Sequence, residues 1–355
     1  MSSMKQKVKL RQSNIELFRI LLMISLVASH YVHNSGLLDR IYENPNDVKS
    51  MFLVIIGWFG KPAINCFVLI TGYYMCMSEI NIKKHFKLIL EVEFYNIIIY
   101  LLFTIFSPEV TFSVIEFVKA CIPLTSITRN FVSCYIVFYF LIPYINILIR
   151  DMDKKQHGML LLLLLIIYTV IDPLPGFEVS FSYVSWFFVI YLLGAYIRLH
   201  PMRCFEQKKL WGGVFSLNCI ISIVSIFICL QLSAALNVRL MFFFIEDSNK
   251  IFALTTSVAA FLFFKNVEIK YSRVINTMAR STIGVLLIHA NSDIMRQWLW
   301  GTLLRCKEMW NSDYLYIHAL ISIPLIYVIC VIIDIIRIEC IEEPFVKMIR
   351  RKKEK

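Results

Sequence analysis

Runs of about 20 predominantly apolar residues recur along this chain. They fall around 14–34, 60–77, 88–107, 130–149, 158–172, 181–199, 211–232, 250–266, 281–300 and 314–339, some of them shortened or interrupted. A helix of that length crosses the roughly 30 Å hydrocarbon core of a bilayer while pairing its own backbone groups, which nothing else can do for it there. The pattern predicts an all-α polytopic membrane protein of about ten transmembrane helices in a single domain over residues 1–355. At 58% hydrophobic residues and a mean hydropathy of +0.68 the chain is too apolar for a soluble core. Runs this long exclude a membrane barrel, whose strands alternate over about ten residues.

The net charge of +11 resembles that of a nucleic-acid binder only until the positions are read. The basic residues gather between alternate runs: Lys5 to Arg11, Lys83 to Lys87, Arg150 to Lys155, Arg198 to Lys209, Lys265 to Arg280, and Arg337 onward. That is the positive-inside distribution, and it predicts both termini in the cytosol, with basic tails at 1–13 and 345–355. The excess then serves topology and attraction to anionic membrane lipids, with no nucleic-acid partner. The first run follows basic residues, yet it carries Glu16, Arg19 and His30 and has no small-residue cleavage site, so it reads as a retained span. The ten cysteines are scattered with no C-x-x-C pair, and no His lies at zinc spacing. They read as packing residues, and no metal site is expected.

Arg19 and His30 lie eleven residues apart in the first run. Eleven helical residues rise about 16 Å over about three turns, so the two side chains share a face, one near each end of a span. A cation inside hydrocarbon costs roughly 2.5–3.5 kcal/mol, which makes an intramembrane Arg a functional candidate by default. Glu16 and His33 fall on the same stripe, so the helix carries a polar seam from end to end.

Three further segments interrupt apolar runs. In GKPAINCFVLITGYYM, Gly60 to Met75, the residues Pro62, Asn65 and Gly72 break the pattern. They fit either a cavity lining or a close helix crossing with Asn65 as interhelical glue. In TIGVLLIHANSDIMRQWLW, Thr282 to Trp300, His289 precedes Asp293 by one turn, which would let the pair share a proton or orient one another. Taken alone, His289 fits an interhelical hydrogen bond as well as chemistry, and Trp298 and Trp300 fit an aromatic belt. In SWFFVIYLLGAYIR, Ser185 to Arg198, Gly194 reads as packing and Arg198 as an anchor. Between the third and fourth runs, Phe112, Ile115, Phe117, Val118 and Ile122 suit a surface amphipathic helix.

Together these segments resemble the acyltransferase family 3 membrane proteins, and most closely the subgroup found among bacterial capsule and exopolysaccharide genes. The likeness rests on the Arg19 and His30 spacing within SNIELFRILLMISLVASHYV, on FVLITGYYM, and on the SWFFVIYLLGAYIR and GVLLIHANSDIMRQWLW helices. It departs where Ala290 follows His289 in place of an acidic residue, and where Lys83, Lys84 and Lys87 stand in place of an Arg pair.

The resemblance implies a membrane-bound O-acyltransferase of the bacterial cytoplasmic membrane, with no bound cofactor and acetyl-coenzyme A as co-substrate. Its acceptor would be a hydroxyl of a cell-surface polysaccharide or a lipid-linked oligosaccharide precursor. Arg19 would hold a coenzyme phosphate, with Lys83, Lys84 and Lys87 raising the local anion concentration. His30 would act as base, or alternatively as transient acyl carrier, assisted by Glu16, which orients Arg19, and by His289. His33, Asn65, Tyr73 and Asp293 would line the acceptor cavity, Asn65 or Tyr73 bonding the thioester oxygen. The competing reading is a flippase or transporter for lipid-linked sugars, since intramembrane charges in a helix bundle also describe transporters.

Overall fold

The computed structural model of the protein describes residues 12–78, 82–122, 124, 131–174, 176, 177, 179 and 181–353, with side chains given for all of these but 82–84 and 349–353. Among the described residues there are helices and no strand. The principal ones are α1 (Ser13–His33), α2 (Val48–Gly57), α3 (Gly60–Met75), α4 (Ile82–Phe106), α5 (Phe131–Asp151) and α6 (Lys154–Leu165). They are followed by α7 (Tyr183–Leu199), α8 (Lys208–Leu236), α9 (Ile251–Lys265), α10 (Thr282–His289) and α11 (Leu315–Arg337).

Seven of the described segments are long and apolar enough to cross a membrane. These are α1, the α2–α3 pair, α4, α5, α6 with the π-helical turns after it, α8, and α11 with its continuation. The protein is therefore a multi-pass membrane protein. The other three expected runs form shorter elements: α7 with 17 residues, α9 with 15, and α10, which ends after 8. At 1.5 Å per residue, α7 and α9 reach about 23–25 Å. Both pack against α3. One expected boundary moves. The run assigned to 60–77 begins at Val48, because α2 leads into α3 through Trp58 and Phe59 with only a brief turn.

Apolar side chains left outside the core mark the lipid-facing side. On α8, Leu217, Ile220, Val224 and Ile228 form an exposed stripe at helical spacing. On the expected surface segment, among its described residues, the helix is Val114–Ala120, and Phe112, Val114, Ile115 and Val118 are exposed there. Cys66, Cys76, Cys134, Cys229, Cys306 and Cys330 are buried as packing residues should be, whereas Cys204 and Cys340 are exposed.

Glycine lets α3 and α7 approach closely. A Cβ on Gly72 would stand 2.5 Å from the Tyr191 carbonyl oxygen, and one on Gly194 would stand 2.6 Å from that of Leu69 and 3.2 Å from the Cα of Gly72. The α3–α7 crossing is thus backbone on backbone, and Gly72 serves packing and not a cavity. Gly72→Val should cost about 1–3 kcal/mol by overpacking. A melting curve of the detergent-solubilised protein checks this, and an unshifted midpoint would contradict the tight crossing.

Candidate active site

The site is built around α1, which the neighbouring helices hold by small residues. A Cβ on Gly57 would meet Val32 at 2.7 Å, and one on Gly60 would meet the Ser29 hydroxyl at 2.4 Å. The α2–α3 junction therefore presses against the turn of α1 that carries His30. Tyr31, the next residue, is fully buried, with its hydroxyl 2.8 Å from His318 Nδ1 of α11. Contacts to the α2–α3 junction and to α11 thus fix the register of His30.

His30 meets His289, 259 residues away in sequence, with its Nδ1 2.9 Å from His289 Nε2. His289 Nδ1 lies 2.6 Å from the Val285 carbonyl oxygen one turn back in α10. A carbonyl only accepts, so His289 Nδ1–H is the donor there, and the neutral ring leaves Nε2 bare. That bare nitrogen accepts the Nδ1–H of His30. With both rings neutral, the His30 Nε2 is left as an unspent lone pair, and it meets no partner among the described residues. The arrangement parallels a base oriented by a third group, with an imidazole in the place usually held by a carboxylate.

His30 lines a cavity of about 820 Å³, a size usual for small-molecule sites. Its walls include His33, Trp58, Lys61, Asn96, Tyr183, Phe242 and Asn291, with Arg239, Glu246, Asp293 and Arg296 also present. The cations are tied down: Lys61 donates to the Tyr183 hydroxyl at 2.9 Å and reaches Asp247 at 3.3 Å, and Arg239 pairs with Asp39 at 2.8 Å. Aromatic rings beside fixed polar groups suit a ligand with alternating apolar and hydroxylated faces.

Arg19 lines a second cavity of about 310 Å³, with Thr71, Lys87, Glu91, Tyr135 and Arg280 among its walls. The two cavities abut: Leu26, Phe131, Val132 and Leu286 line both. Leu26 lies on the α1 seam between Arg19 and His30, so the border shared by the two cavities is apolar. Arg19 is 3.5 Å from Glu16, the contact expected of residues one turn apart. Lys87 pairs with Glu342 at 2.7 Å, and the side chains of Lys83 and Lys84 lie outside the described residues.

Beside this smaller cavity, Arg337 is buried among three carboxylates: Asp334 at 2.8 Å, Glu342 at 3.0 Å and Glu91 at 3.1 Å. The Tyr95 hydroxyl also donates to Asp334, at 2.8 Å. In the sequence Arg337 is one more cytosolic basic residue at a helix end. Only the spacing Asp334, Arg337, Glu342 at its own end of α11 hints otherwise.

Several sequence expectations are corrected by position. Asn65 is fully buried, donating to the Ser248 carbonyl at 2.7 Å and accepting from Trp186 Nε1 at 2.8 Å, so it is interhelical glue and lines neither cavity. Tyr73 lines neither cavity, and its hydroxyl accepts from Arg198 at 3.1 Å. Asp293 reaches the larger cavity but pairs with Arg296 and not His289, because α10 ends at His289 and a new helical turn begins at Asp293. Trp300 is no belt residue: it is fully buried, with its ring against Tyr31 and 6.5 Å from that of His289. His33 lines the larger cavity, with its Nδ1 2.8 Å from the Ser29 carbonyl oxygen.

The model of a family described as an acyltransferase domain, acyltransferase family 3, matches residues 12–335. No curated protein and no solved structure matches the chain.

Proposed function

The chain belongs to acyltransferase family 3, and from that premise we propose that it carries an acyl group, acetyl in the simplest case, from acyl-coenzyme A in the cytosol to a hydroxyl of a surface polysaccharide or its lipid-linked precursor. The setting of this reading is a bacterial cytoplasmic membrane, with both chain ends and the Arg19 chamber on the inner side. The observation that carries it is the bare Nε2 of His30, held by His289 in the wall of the larger cavity.

In this scheme the coenzyme docks its phosphates at Arg19, whose contact to Glu16 leaves most guanidinium hydrogens unspent. The slim pantetheine arm passes the neck between Leu26, Leu286, Phe131 and Val132 and brings the thioester into the outer cavity. There His30 Nε2 removes the proton of the acceptor hydroxyl as its oxygen bonds to the acyl carbon. The carbon–sulfur bond then breaks, and the thiolate takes the proton back from His30. Ester and free thiol result, with every proton accounted for.

The test is to incubate membranes holding the protein with labelled acetyl-coenzyme A and follow label into glycan. Transfer is expected, and Arg19→Ala should raise the KM for the donor by roughly tenfold to a hundredfold, the worth of a charge-assisted hydrogen bond. Absence of label in the glycan would count against the donor and acceptor named, and an unchanged donor KM would remove Arg19 from the phosphate site.

A further inference from the structure

A thioester under attack needs a donor for its oxygen, and the two residues expected for that task, Asn65 and Tyr73, are engaged elsewhere. The outer cavity offers another. Asn96 of α4 and Asn291, two residues past His289, both line it. Asn291 Nδ2 donates to the Leu287 carbonyl oxygen at 3.1 Å and to Asn96 Oδ1 at 3.0 Å.

These two contacts settle which way both amides face. Because the Leu287 carbonyl only accepts, the Asn291 atom near it is the nitrogen, and that nitrogen spends both hydrogens on its two acceptors. Asn96 must then present its oxygen to Asn291. Its own nitrogen is left with two hydrogens that meet no acceptor among the described residues. Asn96 sits one turn beyond Val92, which lines the same cavity, so the α4 face that carries it is turned to the site. Leu287 and Asn291 belong to the segment that carries His289, so one short stretch of chain orients both the base and this amide.

We propose that Asn96 is a catalytic residue: its Nδ2 hydrogens bond the thioester oxygen and hold the negative charge that develops on it during attack. This rests on the acyl-transfer reading above. It balances the step already described, since the oxyanion forms as the acceptor oxygen adds, collapses as the thiolate leaves, and takes no proton from Asn96. An amide already fixed by Asn291 needs no reorganisation when charge appears, which is where such donors gain their effect.

The test compares wild type, His30→Ala, Asn96→Ala and Asn96→Asp with labelled acetyl-coenzyme A, reading kcat and KM separately and the melting midpoint of each variant. Asn96→Asp keeps the oxygen that accepts from Asn291 and removes the donor. It should lose about 10²–10³-fold in kcat with little change in donor KM or melting midpoint, and Asn96→Ala should lose as much. If Asn96→Asp keeps wild-type kcat while Asn96→Ala loses stability, the residue only joins α4 to the α10 segment and the proposal is overturned. If wild type itself transfers no label from acetyl-coenzyme A, the functional reading fails. An active wild type with an inactive His30→Ala and an unimpaired Asn96→Asp sinks this inference alone.

Discussion

His30→Ala should lower acyl transfer by about 10²–10⁴-fold, the usual contribution of a positioned general base. The protein should still insert and melt normally, since His30 borders open cavity and its removal breaks one side-chain hydrogen bond among the described residues, to His289. His289→Ala should also slow transfer, because it frees the His30 ring to turn and to place its hydrogen on the wrong nitrogen. The two residues act as a unit in this account, so the double variant should be no slower than His30→Ala alone. Losses that multiplied in the double variant would mean that His289 works independently, and full activity in His289→Ala would remove its orienting role.

Arg337→Met should have the largest effect on stability. It leaves Glu91 and Asp334 buried without their cation, while Glu342 keeps its pairing with Lys87. Breaking a buried ion pair from one side costs about 3–5 kcal/mol, chiefly through the charge left behind. A marginally stable protein does not survive such a loss intact, so Arg337→Met should accumulate poorly and melt far below wild type. Adding Asp334→Asn to Arg337→Met should recover part of the loss by removing one of the stranded charges. Asp334 fits this role because it lies against Gly284, where a Cβ would come within 2.3 Å of its carboxyl carbon, so α10 and α11 meet at this point. A melting curve indistinguishable from wild type for Arg337→Met would show that the cluster is solvated and carries little.

The first helix was legible because its signal is local: a guanidinium and an imidazole eleven residues apart on one helix need no partner to be recognised as costly in lipid. The pairing of His289 was not legible in the same way. Sequence spacing offered Asp293 one turn on, but a helix that stops at His289 cancels that geometry, and the true partner is 259 residues back. Asn65 and Tyr73 lie in the same polar-interrupted run as Gly72, and each satisfies neighbouring helices instead of a cavity. Their types permit either role, and only burial and partners decide. Arg337 shows the reverse error. A basic residue at a helix end follows the positive-inside pattern whether it faces lipid heads or three carboxylates. Asn96 was invisible for the plainest reason, being one amide in a long apolar helix whose facing residue is set by the bundle.

The most direct test of the whole account is chemical rescue. Membranes carrying His30→Ala, given labelled acetyl-coenzyme A, should leave the glycan unlabelled, and adding free imidazole, small enough for the space left beside His289, should restore part of the transfer. Wild-type labelling by the variant in the absence of imidazole would contradict the claim that the His30 nitrogen takes the proton of the acceptor.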